Sequence, residues 1–186
     1  MRVNGNKIST HIAFYNFGSA GQMELNNQVG ELNVDAVLAP QIFFCDNSTA
    51  VAVRTDGFTV FSGSQSPKEK KTVKFDQEII STFHDGNRIG FVFDGGDSGH
   101  KYLMKVYNTG GKNTMQKYFD LQYNSITLQK DKIVLFNEKE FAIYKLNGQK
   151  TFQGKYRKPI QNVLSIRGFR KYMVITEDSA DLIRLG

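Results

Sequence analysis

Tyr123-Asn-Ser-Ile-Thr-Leu-Gln129, Lys132-Ile-Val-Leu-Phe136, Phe141-Ala-Ile-Tyr-Lys-Leu146 and Lys150-Thr-Phe-Gln-Gly-Lys-Tyr156 follow one another with only short polar breaks. Each segment has the length of a strand and is rich in β-branched or aromatic side chains. The breaks are Lys130-Asp131, Asn137-Glu-Lys-Glu140 and Asn147-Gly-Gln149. Asn-Gly is the strongest hairpin signal among them, because both residues tolerate positive φ. The stretch reads as four antiparallel strands in one sheet.

The same order recurs on both sides. Upstream lie Ile79-Ile-Ser-Thr-Phe-His84, Arg88-Ile-Gly-Phe-Val-Phe93, Lys101-Tyr-Leu-Met-Lys-Val-Tyr107 and Thr114-Met-Gln-Lys-Tyr-Phe119. Before them come Ala36-Val-Leu38, Ala50-Val-Ala-Val-Arg54, Phe58-Thr-Val-Phe61 and Lys71-Thr-Val-Lys-Phe75, with Thr55-Asp-Gly57 as a tight hairpin and 62–68 as a long loop. Downstream, Val163-Leu-Ser-Ile166, Tyr172-Met-Val-Ile-Thr176 and Leu182-Ile-Arg-Leu185 stop one strand short, and Ile12-Ala-Phe-Tyr-Asn-Phe17 with Met23-Glu-Leu25 gives two strands at the start. Aligning Phe14, Val60, Val106, Ile143 and Ile183 gives intervals of 46, 46, 37 and 40 residues, the period of a four-stranded propeller blade. No window keeps apolar residues at the helical spacing i, i+3, i+4, i+7. The expectation is an all-β, β-propeller-like repeat of about four blades, part of a larger propeller, with units about 1–30, 31–76, 77–121, 122–158 and 159–186. The five aligned residues are expected on equivalent sheet faces.

A chain of 186 residues buries about 70% of its unfolded surface, so neither metal nor disulfide is needed for stability. The lone cysteine, Cys45, ends Ile42-Phe-Phe-Cys45; without His or Lys beside it, it reads as a buried, inert thiol. No window approaches the ~20 apolar residues of a membrane span. The chain reads as soluble, and as an excised piece, since it opens inside a unit.

Charge is uneven. Residues 1–93 carry 8 Lys/Arg and 9 Asp/Glu, whereas residues 94–186 carry 16 and 9. Lys145 to Lys171 contains Lys145, Lys150, Lys155, Arg157, Lys158, Arg167, Arg170 and Lys171 and no acidic residue. Such a run projects positive potential, which makes Lys150, Lys155, Arg157, Lys158, Arg167, Arg170 and Lys171 candidates for binding an anionic partner. Phe152, Tyr156, Phe169 and Tyr172 interleave with it, a mixture found in single-strand binders. In a β-repeat, alternate aromatics pack between sheets, which weighs against nucleic acid.

The repeated pattern of a strand ending in Tyr-Asn or Tyr-Lys, a Gly-containing turn and then Lys, in Val106-Tyr-Asn-Thr-Gly-Gly-Lys112 and Ile143-Tyr-Lys-Leu-Asn-Gly-Gln-Lys150, together with Asp181-Leu-Ile-Arg-Leu185, resembles the C-terminal half of the domain of unknown function 5711 family. The resemblance implies a Gram-positive bacterial protein with a short cytoplasmic stretch, one membrane span absent from this chain, and an extracytoplasmic propeller-like domain. It implies no functional residues.

Catalytic motifs for phosphate loops, metalloproteases, serine hydrolases and CxxC redox sites are absent from the sequence. His11, His84 and His100 lack metal-ligand spacing. Asp94-Gly-Gly-Asp97-Ser-Gly99 offers Asp94 and Asp97 as a weak calcium candidate, but lacks the alternating ligands and closing Glu of an EF-hand loop; Glu177-Asp178-Ser-Ala-Asp181 invites the same comparison. The reading is a non-catalytic binding or scaffolding module without a cofactor. Its partner is a protein or an anionic cell-envelope polymer, and it self-associates into a larger ring through unpaired strands. A carbohydrate-active propeller enzyme and a nucleic-acid binder are the rivals.

Overall fold

The computed structural model describes residues 2–4, 7–16, 27–35, 38–166 and 170–185. They form five antiparallel sheets, and the chain divides into two compact units, Met1–Ile79 with Asn108–Lys112, and Ile80–Tyr107 with Asn113–Gly186. No helix of the described residues is long and apolar enough to cross a membrane.

In the first unit, β1 (Arg2–Asn4), β2 (Lys7–Tyr15) and β3 (Gln28–Asp35) form a three-stranded sheet, and β4 (Gln41–Asp46), β5 (Thr49–Arg54), β6 (Gly57–Ser62) and β7 (Lys68–Lys74) a four-stranded one, each in chain order. Ile12, Phe14 and Val34 pack on Ala50, Ala52 and Phe61. The Phe14 and Phe61 rings meet edge-on at 5.3 Å, which adds about 0.5–1.5 kcal/mol to burial. The β5–β6 turn at Thr55-Asp56 is followed by Gly57, at φ +148°, where a Cβ would lie 2.0 Å from the Val73 carbonyl oxygen; only glycine fits there. Arg54, at the end of β5, is buried and paired through Nε and Nη2 with both Asp56 carboxylate oxygens, at 2.7 and 2.9 Å, a fork geometry that makes its burial tolerable.

In the second unit, β8 (Ser81–His84), β9 (Arg88–Asp94), β10 (Tyr102–Asn108) and β11 (Asn113–Phe119) form one sheet. The middle sheet holds β12 (Ser125–Gln129), β13 (Lys132–Phe136), β14 (Glu140–Lys145) and β15 (Lys150–Lys155), and the last sheet β16 (Asn162–Ser165), β17 (Lys171–Ile175) and β18 (Ala180–Arg184). The middle sheet is apolar on both faces: Ile133, Leu135, Ala142 and Tyr144 pack with Val92, Met104, Val106 and Phe119, while Val134, Phe136, Phe141 and Ile143 pack with Val163, Tyr172 and Val174. Double-sided burial explains why β13 reads as an unbroken apolar run rather than an alternating one. Gln129 stitches the last seam: its Nε2 donates to the Val163 carbonyl at 2.8 Å and its Oε1 accepts from the Ser165 amide at 2.6 Å.

The repeat is visible in the backbone itself. In four sheets, the pairing of the last two strands shifts register immediately after Phe14, Val60, Val106 and Ile143, four of the five aligned residues. Bulges bend a strand at a set point, so the same bend recurs once per blade. The fifth alignment is corrected by one residue. Met173 pairs with Leu182 as Val134 pairs with Ile143, so Leu182, not Ile183, is the equivalent position, and Ile183 lies on the opposite face with Tyr172. Leu182-Ile183 are both apolar, and a slip of one flips every side chain without altering the apparent pattern.

Other boundaries also move. β1 is an additional strand, signalled in the sequence by Asn4-Gly5. The last strand of the first sheet is β3, which crosses the boundary drawn at 30/31, and the first described strand of the next sheet is β4, the expected Ala36-Val-Leu38 strand lying mostly outside the described residues. The strand proposed around Met23-Glu-Leu25 lies outside the described residues. β4 is an edge strand, so Phe44 is 70% exposed and Cys45 is half-buried instead of buried.

Candidate functional site

The strands of the second unit give its middle and last sheets two chemically different ends. At one, β12 turns into β13, β14 into β15 and β16 into β17. At the other, β13 turns into β14, β17 into β18, and β15 leads on to β16.

The run from Lys145 to Lys171 is divided between these ends. Lys150, Arg170 and Lys171 lie at the first, and Lys155, Arg157 and Lys158 at the second; Arg167 lies outside the described residues. At the second end the cations meet carboxylates. Lys158 Nζ lies 3.1 Å from Asp178, and Arg157 Nη2 lies 3.5 Å from Asp181, which also accepts from the Tyr156 hydroxyl at 2.5 Å. Lys155 stands opposite Glu140 in the β14–β15 register. These contacts hold Asp178 and Asp181 below the usual carboxylate range, Asp178 chiefly through its hydrogen bond from Lys158 and Asp181 chiefly through that from Tyr156. With Glu138, Lys139 and Glu177, this end carries both signs.

The first end is different, and sequence reasoning identified only part of it. Lys130, Lys132, Lys145 and Arg184 join Lys150, Arg170 and Lys171 there, against Asp131 as the carboxylate of the described hairpins. Lys132 stands opposite Lys145, and Lys171 opposite Arg184. Like charges directly across a strand pair cost stability. Lys145 and Lys150 donate to the neutral amides of Gln149 and Gln153, at 2.9 and 2.8 Å. The cations also connect from sheet to sheet: the Arg88 guanidinium, paired with Asp85, donates to the Lys130 carbonyl, and Lys132 Nζ sits 5.4 Å from the centre of the Tyr172 ring, beside Lys171. The missed signal was positional. Each of these cations flanks a turn joining first to second or third to fourth strands, or the corresponding end of β18, and the turns were already legible.

The turns that carry them are built alike. Lys130 adopts φ +57° in the β12–β13 hairpin. In the β14–β15 hairpin, Gly148, at φ +83°, donates to Lys145, and the Gln149 amide donates to the Asn147 side chain.

A groove of about 520 Å³ opens in the same unit, lined by residues including His100, Lys117, Asp120, Glu140, Tyr144 and Lys150. His100 Nδ1 lies 2.9 Å from Asp120, which also accepts from the Lys101 amide at 3.0 Å. The His100 contact, foremost, depresses the Asp120 carboxyl, while burial, with Asp120 nearby, pushes the Tyr144 phenol up to about 12. A second cleft, of about 640 Å³ in the first unit, is lined by Tyr15, Phe44, Cys45, Asp46 and Asn47 among others. Asp46 is held down chiefly by the Ser48 amide, at 2.7 Å.

Asp94 accepts from the Gly96 amide at 2.7 Å, and Asp97 lies in the short 3₁₀ turn Gly96–Ser98, so these two carboxylates belong to a hairpin tip. Among the described residues, no three His, Cys, Asp or Glu side chains gather as a metal site. His11 contacts Asn33 and Glu31, and burial depresses His84; His11 lies on β2, whereas His84, on β8, and His100, before β10, belong to one sheet.

Two solved structures resemble the fold. The Saccharomyces cerevisiae protein Sqt1 superposes with a TM-score of 0.57 at 10% identity, over 91% of this chain and 50% of that one. BBS1N, solved in complex with ARL6DN, superposes at 0.50 and 10% identity, over 84% and 53%. The chain thus spans about half the length of these propeller-like relatives. No curated protein matches it in sequence. The family model described as "Family of unknown function (DUF5711)" matches residues 1–185, and the chain belongs to that family.

Proposed function

We propose that the chain is a non-catalytic binding module that presents the hairpin ends of its sheets to an anionic partner. The observation that carries this reading is the basic end of the middle and last sheets, where each sheet has a like-charged cross-strand pair, Lys132 with Lys145 and Lys171 with Arg184. Stability alone disfavours that arrangement, so a ligand that offsets the repulsion explains it. The carboxylates that leave their ordinary range, Asp46, Asp120, Asp178 and Asp181, all move downward, opposite to a general acid poised near neutral pH. BBS1N was solved with a protein bound, and protein contact through sheet ends suits the same architecture. Consistent with its family resemblance, we place the module outside a bacterial membrane, anchored by a span elsewhere in the protein.

Incubation of the chain with a panel of glycosides tests the reading. No turnover is expected. Turnover abolished by Asp120→Asn or Glu140→Gln would make the groove beside His100 an active site and overturn it.

A further inference from the structure

We infer that the basic end of the second unit binds a linear, phosphate-repeat polyanion laid across the ends of its sheets. This rests on reading the chain as a binding module and names the ligand class. Face-packed sheets lie about 10 Å apart, a little more than the Debye length of about 8 Å at physiological salt, so the cations of neighbouring sheets repel one another weakly while each remains open to a polymer that spans them. Arg88 donates to the Lys130 carbonyl, Lys132 covers Tyr172, and Lys171 stands opposite Arg184, so a ridge of cations lies at one end of three sheets. The cations on it are exposed or half-buried and spread over several hairpins, so a single small anion meets only one or two of them. A polymer meets them all, and each further contact raises effective concentration at the next.

The side-chain chemistry admits a phosphate repeat unit. Lys130, Lys132, Lys145, Lys150 and Lys171 outnumber Arg170 and Arg184. Lysine serves phosphate oxygens as a point charge, and the planar arginine fork fits phosphate and carboxylate alike. Single-stranded nucleic acid requires rings on which bases stack. Tyr172, the ring beneath this ridge, is buried and covered by Lys132, and the large exposed rings among the described residues, Tyr15 and Phe44, belong to the first unit.

Fluorescence anisotropy with labelled long-chain inorganic polyphosphate, at several salt concentrations, tests this on the chain as it stands. Long polyphosphate is expected to bind at least tenfold more tightly than tripolyphosphate. Replacing Lys145, Lys171 and Arg184 together by Ser is expected to weaken binding at least tenfold and to lower the log–log salt slope by about 2, from roughly 0.7 per charge for a single strand. The matched triple change Lys155→Ser, Arg157→Ser, Lys158→Ser serves as control, with an unfolding midpoint for every variant to show that each is folded; it should move affinity less than about twofold. Equal losses in the two variants would show that net charge, not this ridge, is recognised. Equal binding of poly-glutamate, or tighter binding of a base-containing oligonucleotide of the same charge, would overturn the assignment. Absence of polyphosphate binding would overturn it too, yet leave the non-catalytic reading intact, because that stands or falls on turnover.

Discussion

The two ends of the middle and last sheets draw on one acid-free run of sequence and differ in almost every electrostatic respect. At one end, Lys158 and Arg157 meet Asp178 and Asp181, and Lys155 faces Glu140. At the other, Lys132 faces Lys145 and Lys171 faces Arg184, with amides rather than carboxylates receiving Lys145 and Lys150. An antiparallel chain visits opposite ends at every turn, so a run of like charges along the sequence is dealt out between them. Contiguity in sequence is therefore no guide to a patch. Position relative to the turns is.

The sharpest way to break this contrast is to break the seam that holds both ends in register. Phe141 is fully buried there, 4.8 Å from Phe152 between ring centres, and Phe141→Ala is expected to cost about 3–5 kcal/mol, read from urea unfolding. A loss under 1 kcal/mol would mean that the seam is not a packed core.

Gln129→Ala should come next. It strands the Val163 carbonyl and the Ser165 amide, for about 1–3 kcal/mol. Faster amide exchange at Ser165, with exchange in β13 preserved, would localise the effect; unchanged exchange at Ser165 would refute the bridge.

Acid separates the ends by sign. Asp178 and Asp181 have depressed folded-state values, so their contribution is present above the unfolded value near 3.8 and is lost as pH falls through the folded one. The double change Asp178→Asn, Asp181→Asn should lower the unfolding midpoint at about pH 6, with the gap from the unaltered protein closing as pH falls below 3.8 and through the depressed folded-state values. The Ser variants of the basic end should show no such acid-dependent gap. A gap that persists at low pH would assign the effect to packing rather than charge.

The smallest effect has the opposite direction. Arg184→Glu converts the cross-strand pair with Lys171 from like to unlike charge, and is expected to stabilise the chain by a few tenths of a kcal/mol, diminishing as salt is raised. Destabilisation would show that Arg184 is held by a contact other than Lys171.

Much of the fold was legible because strand and turn chemistry are local. Asn147-Gly148 and Thr55-Asp56-Gly57 announce hairpins whose backbone angles only a few residues adopt, and the spacing of Phe14, Val60, Val106 and Ile143 picked out equivalent positions, where the structure then shows a recurring bulge that the sequence did not announce. Legibility failed where two neighbouring residues were equally apolar, as at Leu182-Ile183, or where an edge strand looked like a core strand, as at Ile42-Phe-Phe-Cys45. Burial is a property of what lies opposite, and periodicity cannot report it when both parities are apolar. The proposed site is half legible in the sequence: of the cations in the acid-free run, Lys150, Arg170 and Lys171 stand at its end of the sheets, Lys155, Arg157 and Lys158 stand at the other end among carboxylates, and Lys130, Lys132 and Arg184 lie outside the run.

By itself the sequence determined that the chain is all-β, that it repeats in units of four short strands, and that excess positive charge resides in its second half. Those properties follow from side-chain shape, turn conformation and composition, each set within a few residues. The tertiary structure decided which cations keep company, because strand pairing brings Lys132 to Lys145 and Lys171 to Arg184 while the β17–β18 hairpin brings Asp178 to Lys158 across twenty residues of chain. Electrostatic interaction depends on distance through space and on the dielectric between the charges, and only the register of the sheets sets either.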